Sequence, residues 1–487
     1  MKWMINIKKE TAIYLFLSGT VFIYVLFRAL NTGITYDEAW TIKSFVPLSS
    51  IEILNYSPCD ANNHILNTLL IKLFYFYGKE NIFIARLPNV LAFIVYLYYS
   101  FKISNYLPIF QGFVVFVLLI INPFLLDFFS LARGYGLGMS FQAGSIYYVL
   151  LFAKNKKLRS ANYALILASI AVLCNFSQLN YWTACLSTLI IINLFGNKGY
   201  KLKLFMYQFI ITLFSTLIVY EPIRKLIINK SLYYGGNIDF YSDTLVSLTK
   251  YTQYSPVING YTHIVLNVLL LLLVVGICLL IFRNIKGDFH LYNLENCLFL
   301  LLLFAILSST TQHFLLGTLY LIDRAALFYF PLFILTLCFT FNLTPHLFQK
   351  IFFSIVLLFF GFNFFVNANV TKTALWYFDS HTETILKTLN SKGANQNKNI
   401  TIDFSWPFQS VIYYLNDKKK YPFITIVKDS SNRESININA DYYIYLNKSL
   451  EKVGYESNNQ QILHFKKDTL LFYEKEGIFI FENIKKF

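Results

Sequence analysis

Residues 64–77 read HILNTLLIKLFYFY, and the topology of the whole chain turns on how they are read. The run is apolar but only 14 residues long, with Asn67 and Lys72 inside it. A helix needs roughly 20 residues to cross about 30 Å of hydrocarbon. The stretch is therefore expected to lie in the interface as an amphipathic helix. Read instead as a short span, it would invert the sidedness of every loop that follows.

The flanking charges support the interfacial reading. Lys2, Lys8 and Lys9 precede the first long apolar run, residues 11–30, which places the N-terminus in the cytoplasm and residues 31–81 outside. That run is expected to be a first span rather than a cleaved signal, being too long and lacking a small-residue cleavage pattern. The run at 83–101 then returns to Lys102, and 113–126 leads out to a second outer loop at 127–136. A span from 137 ends at Lys154, Lys156, Lys157 and Arg159, and 163–176 with 181–195 end at Lys198, Lys201 and Lys203. Each of these clusters falls inside. The run at 204–220 leads to a long loop at 221–260, whose Arg224, Lys225 and Lys230 run against the rule, as long loops are free to do. Runs at 261–282, 296–308, 325–341 and 351–366 bring the sum to about eleven spans, with the C-terminus outside.

Composition agrees. Of the 487 residues 56% are hydrophobic and 14% charged, with a mean hydropathy of +0.51. The fold class expected is an α-helical polytopic membrane protein, in the plasma (inner) membrane, with a small extracytoplasmic α/β domain at its C-terminus. The net charge of +15 sits in short clusters between apolar runs, so it reports topology and anionic lipid rather than nucleic acid. Five of the six cysteines lie in apolar runs, Cys59 lies in a loop, and none follows residue 370, so disulfides do not staple the tail.

The domain boundary is expected at residues 369/370, with 1–369 the membrane domain. Beyond it, Trp376 sits where an interfacial aromatic would anchor. Ser380 and Glu383 make a capping-box pattern before Ile385, Leu386 and Leu389. Strand-like runs follow at 400–404, 423–427, 442–445, 470–473 and 478–481.

Chemistry is expected in the outer loops. Residues 31–40, NTGITYDEAW, carry Asp37 and Glu38 close to a membrane surface, where carboxylates are costly unless compensated. Adjacent on a helix, they point about 100° apart, so one would act as base while the other orients the site or binds a metal. A solvated loop pair would read the same way. Asp127 and Arg133, six apart, offer a base and a phosphate clamp, or else a salt bridge tying two span ends. Asn62, Asn63 and His64 suit sugar hydroxyls or phosphate oxygens, or a capped helix with a surface His. Asp323 and Arg324 precede a span containing Pro331, where Arg324 would meet a lipid phosphate or snorkel. No metal-ligand spacing is present, and Gly134 with Gly136 lacks the strand–helix setting of a phosphate loop.

Together these pieces resemble the C-type glycosyltransferase superfamily, integral-membrane enzymes that use polyprenyl-linked sugars. The branch with protein O-mannosyltransferases and the lipid A aminoarabinose transferase is the most similar. The carriers are Asp37-Glu38 after the first span, NNHILNTLLIKL from Asn62, Arg86-Leu87-Pro88, Asp127 with ARGYGL from Ala132, and Asp323-Arg324 with Pro331. The resemblance implies Asp37 as catalytic base, with Glu38 as its companion and Asp127 as a second acidic group. The family's usual second-loop acid lies two before the Arg, and here that place is Leu131. Arg133 and Arg324 would hold the donor phosphate, with Asn63, His64 and Tyr135 beside it. The implied reaction is transfer of a sugar from a polyprenyl phosphate to an extracytoplasmic glycan, lipid or protein hydroxyl, with inversion. The resemblance implies no resident cofactor, and a divalent metal remains possible. A flippase of lipid-linked sugars would instead show internal repeats and charges at span midpoints. A receptor or scaffold would leave the outer carboxylates idle.

Overall fold

The computed structural model describes residues 9–77, 81–195, 201–255, 257–288, 290–417, 420–427, 440–446, 465–467 and 478–483. They divide into two compact units. One comprises Met1–Leu30 with Leu48–Asn369, the other Asn31–Pro47 with Val370–Phe487.

In the first unit, the apolar runs marked above as spans are helical, but fewer than the eleven expected are long enough to cross. Seven helices are long and apolar enough to cross a membrane: Thr11–Asn31, Ile82–Ser104, Gly134–Asn155, Leu202–Ile228, Gly260–Lys286, Leu294–Leu316 and His346–Asn367. An eighth crossing is available to Ile109–Ile120 with Pro123–Phe129, a pair bent by 60°. The bend has a local cause. Pro123 cannot donate to the preceding turn, and the Asn122 side chain accepts from the Phe124 and Leu125 N–H groups (2.9 and 3.2 Å), starting a new helix. Leu158–Cys174, Leu179–Phe195 and Tyr329–Phe341 are shorter. The stretch that decides the topology forms Ile65–Tyr77, 13 residues long.

Gly134–Asn155 is the central helix of this unit, and small residues let its neighbours approach. Ser140 Oγ donates to the Ala92 carbonyl (2.7 Å) and Ser145 Oγ to the Ala164 carbonyl (2.7 Å). The Tyr181 hydroxyl reaches Ser145 at 2.8 Å, and the Gln142 amide donates to the Phe328 carbonyl at 2.8 Å. Four other helices or turns are thereby pinned to one axis.

Two loops differ from expectation. The second outer loop is short, because Asp127 lies in Pro123–Phe129 and Gly134 already starts the next helix. The long loop expected from 221 begins later, since Lys201–Ile228 runs on through Pro222. Pairs Glu221–Arg224 (2.8 Å) and Glu221–Lys225 (3.7 Å), one turn apart, support that extension.

Asp127 forms a buried ion pair with Arg28 of the first span. The Tyr254 hydroxyl donates to both carboxylate oxygens (2.9 and 3.1 Å), and Arg28 also donates to the Asn369 carbonyl. First span, bent pair, the Tyr254 loop and the end of the last span therefore meet at one charge pair. Arg86, fully buried, ties Ile82–Ser104 to the same region through the Ala29 carbonyl (3.0 Å).

The second unit carries a five-stranded mixed sheet of β1 (Ile400–Phe404), β2 (Ile424–Ile426), β3 (Tyr442–Leu446), β4 (Phe465–Lys467) and β5 (Ile478–Asn483) in the order β2-β1-β3-β5-β4. β1 is parallel to β2 and β3, and β5 is antiparallel to β3 and β4. The strand expected at 470–473 lies outside the described residues. The helix at Asp379–Gln396 forms, but not through the expected capping box. Ser380 Oγ donates to the Tyr377 carbonyl (2.7 Å), and Glu383 is held by Lys420 (2.5 Å) and Lys387 (3.2 Å). Residues 31–47, assigned on sequence to the membrane domain, belong to this unit. Their helix Tyr36–Ser44 is started by a capping box that the sequence reading passed over, Thr35 with Glu38.

Breaking the buried pair from one side leaves an uncompensated charge, a cost of about 3–5 kcal/mol. Asp127→Leu is expected to lower the melting temperature of the detergent-purified protein sharply, and Arg28→Met with Asp127→Leu to recover most of the loss. A double variant no more stable than Asp127→Leu alone contradicts the pairing.

Candidate functional site

In the first unit, two of the sequence motifs named above, NNHILNTLLIKL and ARGYGL, are hydrogen-bonded to each other and to Asn89. The Asn67 amide donates to the Ala132 carbonyl (3.1 Å) and its oxygen accepts from Asn89 (2.8 Å). The Asn89 oxygen accepts from the Leu137 N–H (2.9 Å) near the start of Gly134–Asn155. The Gly134 N–H, one of the groups a helix start leaves without an internal partner, donates to His64 Nδ1 at 2.8 Å. Position 134 admits no larger residue. A Cβ there would run into the Cys174 carbonyl and the His64 ring.

That last hydrogen bond fixes the chemistry of His64. A backbone N–H can only donate, so Nδ1 carries no proton, and the proton of the neutral ring sits on Nε2. Nε2 in turn lies 3.2 Å from Arg133 Nη2 and 3.4 Å from Asn175 Nδ2. The Asn175 amide is oriented independently, because its oxygen accepts from the Ser177 N–H at 2.7 Å. Two donor nitrogens, one of them on a guanidinium, thus lie within 3.4 Å of the ring nitrogen that carries the proton. Arg133 also donates to the Asn62 carbonyl (3.2 Å), and its guanidinium lies 6.0 Å from the Tyr135 ring, which packs edge-on to His64 at 5.0 Å.

Burial, then the charges of Arg133 and Arg324, hold the His64 pKa well below its ordinary value. Arg324 therefore bears on the same ring from the far end of the sequence. Its guanidinium stacks 4.3 Å from the centre of the Tyr234 ring and donates to the Tyr234 hydroxyl (3.1 Å). Tyr234 donates to Asp323, and Ser247 donates to the same carboxylate at 3.1 Å. Asp323 adopts a left-handed backbone (φ 51°), which Asp tolerates better than most residues.

The remaining candidates have other settings. Asn63 is used inside its own loop, donating to the Ile53 carbonyl (3.0 Å) and accepting from Thr68 Oγ1 (3.2 Å). His64 is buried, not the surface residue that capping alone would leave. Asp127, read beside Arg133 in the sequence, takes Arg28 as its cation. Asp37 and Glu38 lie in the second unit, in the first turn of Tyr36–Ser44, both buried. Glu38 Oε2 accepts from the Thr35 N–H (3.0 Å) and Thr35 Oγ1 (3.1 Å), a structural task that occupies that oxygen. Among the described residues, no group of three or more His, Cys, Asp and Glu stands where it could hold a metal ion.

Asn89, Asn175 and Tyr234 were missed. A single Asn at the end of an apolar run (Asn175, in 163–176) gives no signal of its own, and Tyr234 is one aromatic among 36 tyrosines.

The depressed His64 pKa makes a stability prediction. As pH falls below about 6.5, the unfolded chain takes up the proton first, so the advantage of the neutral folded ring is present above that pH and lost on descending through the folded value. Melting temperature is expected to fall between pH 7 and about pH 5, with a shallower slope in His64→Gln. An identical slope in that variant contradicts the assignment.

No family model matches the chain, and no curated protein matches it. Among solved structures, the chain is similar to the crystal structure of ArnT from Cupriavidus metallidurans in the apo state, with 8% identity, 97% of this chain and 98% of that one covered, and a TM-score of 0.49. It is similar over the same shares, at 8% identity and a TM-score of 0.47, to that protein bound to undecaprenyl phosphate.

Proposed function

We propose that this protein is a C-type membrane glycosyltransferase that moves a sugar from a polyprenyl phosphate to an acceptor hydroxyl outside the cytoplasm. One observation carries the reading: Arg133 Nη2 and Asn175 Nδ2 both lie within 3.4 Å of His64 Nε2, with the charge of Arg324 bearing on the same ring. Donors facing one another are unfavourable until an acceptor sits among them. A phosphate oxygen supplies that acceptor, and its negative charge is favourable beside two guanidiniums. A sugar hydroxyl would satisfy the hydrogen bonds but not the charge.

The mechanism follows from these groups. Arg133, His64 Nε2–H and Asn175 hold the phosphate of the donor, and Tyr135 packs against the His64 ring that presents the proton. Asp37 takes the proton of the acceptor hydroxyl as its oxygen attacks the anomeric carbon from the side opposite the phosphate. The carbon–oxygen bond to phosphate breaks, and the polyprenyl phosphate leaves with its new charge neutralised by Arg133 and Arg324. A single displacement of this kind inverts the anomeric carbon. Glu38 starts the helix that bears Asp37, and Asp127 anchors the span ends through Arg28. Membrane lipid is the medium, and the acceptor is a glycan, lipid or protein of the cell envelope.

The test is mass spectrometry of envelope glycans from a deletion strain complemented with variants. Asp37→Asn is expected to reduce transfer by about 10²–10⁴-fold at normal protein level. Arg133→Gln should weaken binding of a polyprenyl phosphate by at least about tenfold, the scale of one lost charge-assisted hydrogen bond. A glycan profile unchanged by deletion of the protein removes the reading.

A further inference from the structure

The second unit contains a carboxylate that no motif above points to, and its place in the fold is specific. Asp379 opens the helix Asp379–Gln396, and its Oδ2 accepts from the Tyr36 N–H at 2.7 Å. Tyr36 is the first residue of the helix carrying Asp37. Its N–H is one of the groups a helix start leaves without an internal partner. Two residues on, the Glu38 N–H donates to Thr35 Oγ1 (3.4 Å), closing the capping box. The backbone of Asp37 is therefore held on both sides, by Asp379 before it and by Thr35 after it.

Four further contacts join the same two stretches, which lie more than three hundred positions apart in sequence. Thr32 Oγ1 donates to the Val370 carbonyl at 3.3 Å. A Cβ at Gly33 would stand 3.0 Å from the Asp379 carbonyl oxygen, so glycine permits the backbones to lie this close. The Tyr36 ring packs on Trp406 at 5.2 Å, and Lys43 lies over Tyr413 at 5.3 Å. Trp406 follows the carboxyl end of β1, which runs between its parallel partners β2 and β3. The crevice outside the carboxyl ends of the strands at such a switch point is where open α/β sheets commonly bind ligands. Here the chain's own first-loop helix packs beside it.

We infer that the C-terminal unit is a positioning device for the first-loop carboxylate, with Asp379 as the positioning residue that fixes the start of the Asp37 helix. The inference rests on the reading of Asp37 as the base. It gives the tail a catalytic reason to exist, orientation of a proton acceptor, without requiring it to touch substrate. Burial first, then the charges of Asp37 and Glu38, push the Asp379 carboxyl well above the usual carboxylate range, while the Tyr36 N–H pulls it down. In its protonated form Asp379 still offers an oxygen to Tyr36 and adds no third negative charge beside Asp37 and Glu38. An asparagine has both properties.

The experiment uses the full-length chain in the complemented deletion strain, with transfer read from envelope glycans and binding of polyprenyl phosphate measured on the purified protein. Asp379→Ala is expected to lower transfer on the order of 10–100-fold, the scale of a misoriented reacting group, with polyprenyl phosphate binding unchanged. Asp379→Asn should restore transfer to within a few-fold of the parent chain. Tyr36→Pro provides a second route, because it deletes the donor side of the bond, with Tyr36→Ala as the control that loses the ring on Trp406 and keeps the N–H. Proline suits the first helical position, and Thr35 before it is already extended (φ −91°, ψ 159°). It should behave as Asp379→Ala does, and it decides the matter if Asp379→Ala fails to accumulate. Parent-level transfer by Asp379→Ala while Asp37→Asn is inactive overturns the inference and leaves the proposed function standing. Parent-level transfer by Asp37→Asn sinks the function itself. Loss of transfer and phosphate binding together, or no rescue by Asp379→Asn, reduces Asp379 to a folding contact and also overturns the inference.

Discussion

A backbone N–H with one possible role decides what the first unit can bind. Gly134 donates to His64 Nδ1, and from that bond the position of the imidazole proton follows. The proton faces Arg133 and Asn175 across Nε2, so the ring joins two other donors rather than separating them. The bond depends on a glycine, because any Cβ at 134 collides with the Cys174 carbonyl and with the ring. The second N–H in that helix start, on Leu137, is taken up by Asn89, which is itself held by Asn67. N–H donors at one helix terminus thus bind together three segments that are distant in sequence.

Buried charge elsewhere in this unit is handled differently. Arg28 and Asp127 neutralise each other, and Tyr254 and the Asn369 carbonyl take up further hydrogen-bonding capacity. A pair closed in this way has its charge spent on joining four segments. Around His64 the guanidiniums bring positive charge against a ring that burial and those charges keep neutral. The contrast lies in the groups brought together: a carboxylate with a guanidinium in one cluster, and donor nitrogens around a neutral ring in the other.

How much of this the sequence discloses depends on range. The apolar runs are local signals, and the helices fall where they predict, with errors at the ends. Lys201–Ile228 runs past its expected stop because Glu221, Arg224 and Lys225 pair along one face. Arg133, His64 and Arg324 are recognisable by residue type between apolar runs, and the electrostatics of His64 join them. Partners chosen at long range were not recognisable. Nothing near Asp127 in sequence points to Arg28, and the neighbouring Arg133 was the natural choice. The Ser380/Glu383 pattern has the right spacing for a capping box but loses Glu383 to Lys420 and Lys387, while Thr35 and Glu38 form one unannounced. Glu38 was read for chemistry because it sits beside Asp37, and its spacing from Thr35 was passed over. Residues 31–47 join the tail through backbone contacts such as that of Tyr36 with Asp379, which side-chain patterns do not encode.

The most direct test of the anion site is an experimental structure of the protein with a polyprenyl phosphate bound. The account predicts a phosphate oxygen within about 3 Å of Arg133 Nη2, His64 Nε2 and Asn175 Nδ2, with the Gly134–His64 bond intact. A phosphate bound at any other place, with those three nitrogens still facing one another, would contradict it.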